Sequence, residues 1–314
     1  MRKLILKAMK AIFPKLAEKC GNLWVNYWMK KDPRIMANRA FKAAFGRNID
    51  WKNPKSLIEK IYWLQIYSDT SQWTLCADKY RVREYVKDKV GESCLNELYG
   101  KWDKPEDIDF DALPNSFVIK TNHGCGEVYL VKDKSKLDIE KLRNQLKEWL
   151  KVKYGYSSVQ LHYTKIKPCI IAEKLLINED HPDKSLVDYK IWCFNGVPEC
   201  VLVVFDRDKS GYHLSAFDLN WNNISAKVFN ENAKSASGKN IAKPKSFENM
   251  IDIASKLSKG LPETRVDFYD INGQTVFGEM TFSTAYGYYK DEYYDYLGDK
   301  VDLSLAKLKC NKNK

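Results

Sequence analysis

The sequence predicts an α+β protein: mixed or antiparallel sheets with flanking helices, behind a helical N-terminal region. Three observations carry that prediction. Apolar residues recur at three-to-four spacing through most of residues 32–109. After Pro114 the pattern becomes strand–turn–strand, twice around an Asn-Gly pair, at Asn195-Gly196 and Asn272-Gly273. No G-x-G-x-x-G follows a first strand, which removes the order of a dinucleotide-binding parallel sheet. A chain of 314 residues is long enough for one large core or two closely packed ones, and it shows no internal repeat.

Residues 1–31 form a basic, partly amphipathic segment that Pro14 interrupts. Its apolar runs are too short to span a bilayer, and no small-residue cleavage site follows them. Two readings stay open for it. Either Leu4, Ile5, Ile12, Phe13, Leu16, Trp24 and Trp28 face an anionic inner membrane leaflet, or the segment packs on its own domain with its lysines in water.

Residues 32–113 read as a helical subdomain that grips substrate or acts as a lid. "MANRAFKAAFG" stops at Gly46, "PKSLIEKIYWLQIYS" starts at Pro54 and Ser56, and "DKYRVREYVKDKVG" closes at Gly91. "NELYGKWDKPEDIDFDALP" reads as an acidic, proline-rich loop. Residues 114–175 hold strand, glycine loop and strand in "SFVIKTNHGCGEVYLV", then the helix "DIEKLRNQLKEWLK" and the strand "KPCIIAEKLL". Residues 176–306 begin with the hairpin "DYKIWCFNGVPECVLVVFDR", continue as irregular polar chain from Ser210 to Asn240, and then give the helix "SFENMIDIASKLSKG". The late hairpin "TRVDFYDINGQTVFGEMTFS" and a tyrosine-rich, acidic helix and loop complete that part. Residues 307–314 read as a frayed tail.

The formal net charge is +11, which favours anionic partners without choosing among them. No zinc-finger spacing, recognition helix or RNP-type strand points to nucleic acid. Eight scattered cysteines without C-x-x-C fit free thiols in the cytoplasm, and four dispersed histidines make no metal cluster. Cys125 lacks a defined Cys-His-Asp arrangement, so thiol catalysis is set aside.

The late hairpin puts Arg265, Asp267 and Glu279 on strands that otherwise look like core. A strict two-residue turn at Asn272-Gly273 sets residue 267 opposite 278 and sends Asp267 and Glu279 to opposite faces. A three-residue loop with a bulge pairs Asp267 with Glu279 and Arg265 with Thr281 on one face. Two neighbouring carboxylates then need a cation, and Mg²⁺ suits few carboxylates completed by phosphate oxygens. The plain alternative is a structural Arg–Asp–Glu network. A second candidate is Lys120 running into His123, Gly124, Cys125 and Gly126, where glycines let backbone N–H groups approach a phosphate. It is not a Walker A sequence, and an ordinary strand-to-strand turn is the alternative. Glu173-Lys174-Leu175-Leu176 and Lys190 complete the set, as a wall for a base and a second phosphate lysine, or else as surface residues.

Together these blocks resemble the ATP-grasp ligases and, more closely, the TupA-like ATP-grasp family. The resemblance rests on "LPNSFVIKTNHGCG", "KPCIIAEKLL", "DYKIWCFNGVPE" and "RVDFYDINGQTVFGEMTFSTAYG", in that order, and spans roughly residues 30–305. It implies an ATP-grasp fold with residues 114–175 as the small subdomain and 176–306 as the large one. It implies ATP and Mg²⁺, with Lys120 and Lys190 on the phosphates and His123 to Gly126 as the phosphate loop. Glu173, Lys174 and Leu176 would line the adenine site, and Arg265 would meet the reacting phosphate. Asp267 and Glu279 would bind magnesium. Where these ligases usually carry Glu-x-Asn, this chain has Glu279-Met280-Thr281, so Thr281 would offer a hydroxyl in place of an amide.

The same resemblance implies a cell-surface polysaccharide setting, capsule or O-antigen. A carboxylate, for example on a uronic acid or lipid-linked sugar, would be activated as an acylphosphate. An amino acid or amino sugar would then form an amide. Trp192, Tyr286, Tyr288 and Tyr289 are candidates to stack on sugar, or equally to pack in the core or at its rim. Two enzymatic rivals remain: a glycosyltransferase using the Asp-x-Asp of Asp206 and Asp208, a pattern that reads better as a solvated turn after "VLVVF", and a phosphotransferase acting on a glycan hydroxyl. A non-enzymatic scaffold is the third rival.

Overall fold

The computed structural model describes residues 14–178 and 185–309. The apolar positions of the N-terminal segment before Pro14 and the last residues of the tail lie outside them. Helices α1 (Pro14–Lys31), α2 (Pro33–Phe45), α3 (Leu57–Tyr67), α4 (Ser71–Ala77) and α5 (Val82–Val90) lead the chain. Their ends follow local chemistry. Asp32 accepts from the Arg34 amide ahead of α2, and Gly46 stops that helix in the left-handed region at φ 70°. Ser56 and Glu59 make a reciprocal capping box on α3.

Strands β1 (Leu98–Trp102), β2 (Phe117–Thr121), β3 (Val128–Val131) and β4 (Ile170–Glu173) form an antiparallel sheet in the order β1-β4-β2-β3. Helix α6 (Ile139–Leu150) packs Leu142 and Leu146 against Phe117, Ile119 and Ile170 of this sheet. Strands β5 (Asp188–Phe194), β6 (Val197–Asp208), β7 (Gly211–Phe217), β8 (Thr264–Ile271) and β9 (Gln274–Thr281) form a second antiparallel sheet, ordered β7-β6-β5-β8-β9. A short helix α7 (Ser225–Val228) follows β7. Helix α8 (Phe247–Ser258) contributes Met250, Ala254 and Leu257 to the core of the second sheet, and α9 (Asp291–Lys300) contributes Tyr293, Tyr294 and Leu297. The architecture is the expected α+β arrangement of two sheets with flanking helices.

Two local expectations change. The acidic stretch read as loop contains β1, whose five residues are all half-buried and so give no alternation to read. The chain after Ser210, read as irregular, begins with β7, whose buried residues are only its last three. The leading helices share a core with the second sheet: Phe41, Leu57, Ile61 and Trp73 cluster with Trp192 and Phe268 of its strands and with Phe282 just past β9.

Candidate active site

The late hairpin combines both readings of its turn. Asn272 (φ 55°) and Gly273 (φ 82°) form a two-residue turn, with Ile271 paired to Gln274. Asp267 nevertheless faces Glu279, and Arg265 faces Thr281, because the register shifts once between Phe268–Phe277 and Asp267–Glu279. The extra residue is Gly278, a bulge inside β9 rather than a longer loop. A Cβ at Gly278 would lie 3.0 Å from the Asp267 carbonyl oxygen, so the bulge is a close approach of two backbones.

That pairing gathers charge on one face. Asp267 is buried and takes two bonds from Arg265, 2.7 Å from Nε and 2.8 Å from Nη2. Lys190, opposite Asp267 on β5, donates to it at 2.5 Å. Arg265 also donates to Thr281 Oγ1 at 3.2 Å and stands 3.9 Å from Glu279. Burial opposes the Arg265 charge, but Asp267 more than restores it, so its pKa lies above the ordinary guanidinium value. Thr281 Oγ1 lies 3.4 Å from Glu279 Oε1.

The first sheet and the leading helices supply the opposite wall. Lys120 pairs with Glu173 at 2.6 Å, and Arg83 of α5 meets the other oxygen of Glu173 at 3.1 Å. Lys79, in the loop between α4 and α5, donates to the Gly124 carbonyl at 2.5 Å and lies 3.6 Å from Glu279. Lys79 thereby links the glycine loop to the late hairpin. Burial pushes the Glu279 carboxyl upward, yet Lys79, then Lys190, Arg265 and Lys120, hold it down at about 2. Four cations from four segments therefore act on this one carboxylate.

Sequence reading missed Lys79, Arg83 and Asn122. Asn122 is fully buried and anchors the glycine loop, donating to Asp78 at 2.9 Å and Lys167 O at 3.0 Å while accepting from the Cys169 amide at 2.7 Å. An Asp-Lys pair between two helices was the available signal for Lys79, and periodicity does not register it.

Apart from the Gly124 carbonyl held by Lys79, the other candidates make no bond to the charged side chains. His123 is buried, with Nε2 3.1 Å from Val152 O, and burial lowers its pKa; its ring supports the loop from within. Gly126 takes φ 99°, and Cys125 is an exposed free thiol. At Gly124 a Cβ would run into the Glu127 carboxylate. Lys174 and Leu176 lie just past β4; the Lys174 amide donates to Glu97 O at 2.9 Å, and its carbonyl accepts from Asn96 at 2.8 Å. Trp192 and Tyr289 are core residues, bonded to each other at 3.3 Å, which removes them as sugar platforms. Tyr286 bonds Tyr62 at 3.0 Å, and Tyr288 is exposed.

The Asp206–Asp208 motif is the irregular end of β6, where the register with β7 shifts just before the turn. Asp206 has φ 50°, and Asp208 accepts from the Ser210 and Gly211 amides, while Arg207 binds Asp188 at 3.0 Å. Among the described residues no three His, Cys, Asp or Glu are grouped to hold a metal alone. Two carboxylates and a hydroxyl do fit Mg²⁺, which takes most of its shell from phosphate and water. Glu279, 35% exposed at its side chain against 3% for Asp267, is the carboxylate open to such an ion.

The TupA-like ATP-grasp profile matches residues 59–302, a stretch that includes every segment of this cluster. The chain belongs to the TupA-like ATP-grasp family. A search of curated proteins found no match. Among solved structures, D-alanine–D-alanine ligase from Bacillus anthracis complexed with ATP is similar at 15% identity, over 71% of this chain and 60% of that one, with a TM-score of 0.41. The ATP-grasp ligase PsnB, solved with a phosphomimetic precursor variant, Mg and ADP, is similar at 12% identity over 76% and 60%, with a TM-score of 0.41. D-cycloserine synthetase DcsG gives 12% identity over 76% and 68%, with a TM-score of 0.42. This TupA-like ATP-grasp chain thus spans 60% of the length of the first two.

Proposed function

We propose that the chain is an ATP- and Mg²⁺-dependent carboxylate–amine ligase of cell-surface polysaccharide synthesis, working in the cytoplasm. A carboxylate oxygen of a uronic acid or similar sugar bonds to the γ-phosphorus as ADP leaves. An amine from an amino acid or amino sugar then bonds to the acyl carbon; phosphate leaves and the nitrogen loses a proton. The first step needs positive charge around the phosphoryl group, not a strong base, since a carboxylate is already a nucleophile.

The observation that supports this reading is the gathering of Lys79 and Arg265 at Glu279, of Lys190 at the neighbouring Asp267, and of Lys120 at Glu173. In this reading the three lysines neutralise phosphate oxygens and Arg265 steadies the group in transfer. The backbone of His123 to Gly126 covers the phosphates and keeps water from the acylphosphate. Glu173, Lys174 and Leu176 border the base. Magnesium, held by Glu279 with Asp267 and Thr281, would supply charge between the phosphates. Asp267 must then loosen its hold on Arg265 or Lys190.

The test is ADP release screened over uronic-acid glycans with amino acids or amino sugars, with mass spectrometry of the product. An amide is expected. A phosphorylated glycan would make the protein a phosphotransferase, and sugar transfer from a nucleotide sugar without ATP would end the ligase reading.

A further inference from the structure

Helices α1 and α2 present a surface that the site does not use. Leu23 and Tyr27, one turn apart on α1, are 61% and 52% exposed, and Ile35 at the start of α2 is 38% exposed. On the same helix Trp24, Val25 and Trp28 pack partly against the core, so α1 is seated and its outer stripe is what remains uncovered. Basic residues border that stripe. Lys31 donates to the Tyr27 hydroxyl at 3.0 Å, with its ammonium 5.5 Å from the ring centre. Arg39 lies 4.8 Å from the Trp24 ring. From Gly21 to Gly46 the sequence has five basic residues and one acid, a net +4. That acid, Asp32, is already paired to Arg34 at 2.8 Å.

Exposed apolar side chains one helical turn apart, bordered by a net excess of basic residues, match a surface that is apolar below and anionic above. Tyrosine and tryptophan suit such a boundary, and long lysine stems reach from the apolar layer to charged headgroups. No described helix is long and apolar enough to cross a membrane, so contact of this kind is with one leaflet. We infer that the outer face of α1, with the first turn of α2, docks on an anionic lipid bilayer through Leu23, Tyr27, Lys30, Lys31 and Ile35. The inference stands apart from the ligase reading, because none of these side chains belongs to the charged cluster.

The full chain is tested by co-sedimentation with phosphatidylcholine vesicles, with and without about 30% phosphatidylglycerol. Wild type is expected to bind the anionic vesicles at least about tenfold better, with the gain largely lost near 0.5 M salt. Leu23→Glu with Tyr27→Glu, and separately Lys30→Glu with Lys31→Glu, should each weaken that binding about tenfold or more, leaving thermal melting and nucleotide binding unchanged. Equal binding by wild type and both variants would overturn the assignment and move the contact elsewhere in the chain. Absence of vesicle binding would overturn it outright. A wild-type dimer that both variants dissolve, seen by sedimentation, would make this face a protein interface instead.

Discussion

Glu279 and Glu263 are both acids next to Arg265, and their pH behaviour has opposite sign. Glu279 is held down at about 2 by surrounding cations, so the stability it contributes is present above the ordinary carboxylate range and is lost as pH falls toward 2. Glu263 is fully buried, and neither carboxyl oxygen has a hydrogen-bond partner. Burial pushes its pKa well above 4.5, with only Arg265 opposing. The native state therefore holds a proton that the unfolded chain releases, and stability falls as pH rises above 4.5. Glu263→Gln removes that proton release, so its gain in melting temperature over wild type is expected to be larger at about pH 8.5 than at about pH 5.5. An equal shift at both would mean that Glu263 is solvated. Glu279→Gln is expected to lower turnover by about a hundredfold or more, because a neutral amide is a poor magnesium ligand, and to lower the melting temperature at neutral pH, because the surrounding cations lose their carboxylate. Wild-type turnover at saturating ATP would remove it from the site. Lys79→Ala is expected to weaken nucleotide binding about tenfold in calorimetry; unchanged affinity would leave Lys79 as a loop clamp.

At the scale of elements, the bulge that absorbs one extra residue, Gly278, keeps two acids on one face. Alternation along β8 and β9 was legible, as was the Asn-Gly turn, but the pairing of Asp267 with Glu279 was assigned to a longer loop. Sequence patterns mark a turn through residues at fixed positions, whereas Gly278 inside a strand reads equally as a bulge or a close contact. Gly278→Val is expected to cost about 1–3 kcal/mol by driving β9 from β8, and to weaken nucleotide binding. Deleting Gly278 keeps Asp267 opposite Glu279 and is expected to be the milder change in calorimetry. The reverse ranking would mean that bulge twist, not register, aims the acids. Gly298 of α9 is as constrained: an added Cβ would press on the Lys55 carbonyl oxygen and lie 2.8 Å from the Ser56 carbonyl carbon, at the cap of α3. Gly298→Ala is expected to lower stability by about 2 kcal/mol or more in urea.

Across the molecule, the order of blocks was legible because each half of the site carries its own local pattern. A strand enters a glycine loop at Lys120, and a hairpin carries charge on alternate residues at Arg265 and Asp267. What joins the halves was not. Lys79 and Arg83 lie in "DKYRVREYVKDKVG", a segment read only as a basic helix, and only tertiary packing of the leading helices turns them inward. Burial likewise decided Trp192, which sits in a strand whose pattern suits core and cleft alike.

Each cation of the cleft already rests on an oxygen of the protein itself: Lys120 on Glu173, Lys190 on Asp267, Lys79 on Gly124 and Arg265 on Asp267. A nucleotide that enters exchanges one set of oxygens for another and sheds few dissolved ions. Its affinity is then expected to be nearly flat in potassium chloride between about 50 and 500 mM, unlike that of an open basic groove. A steep fall would mean that in solution the cleft trades its internal partners for chloride before any ligand arrives.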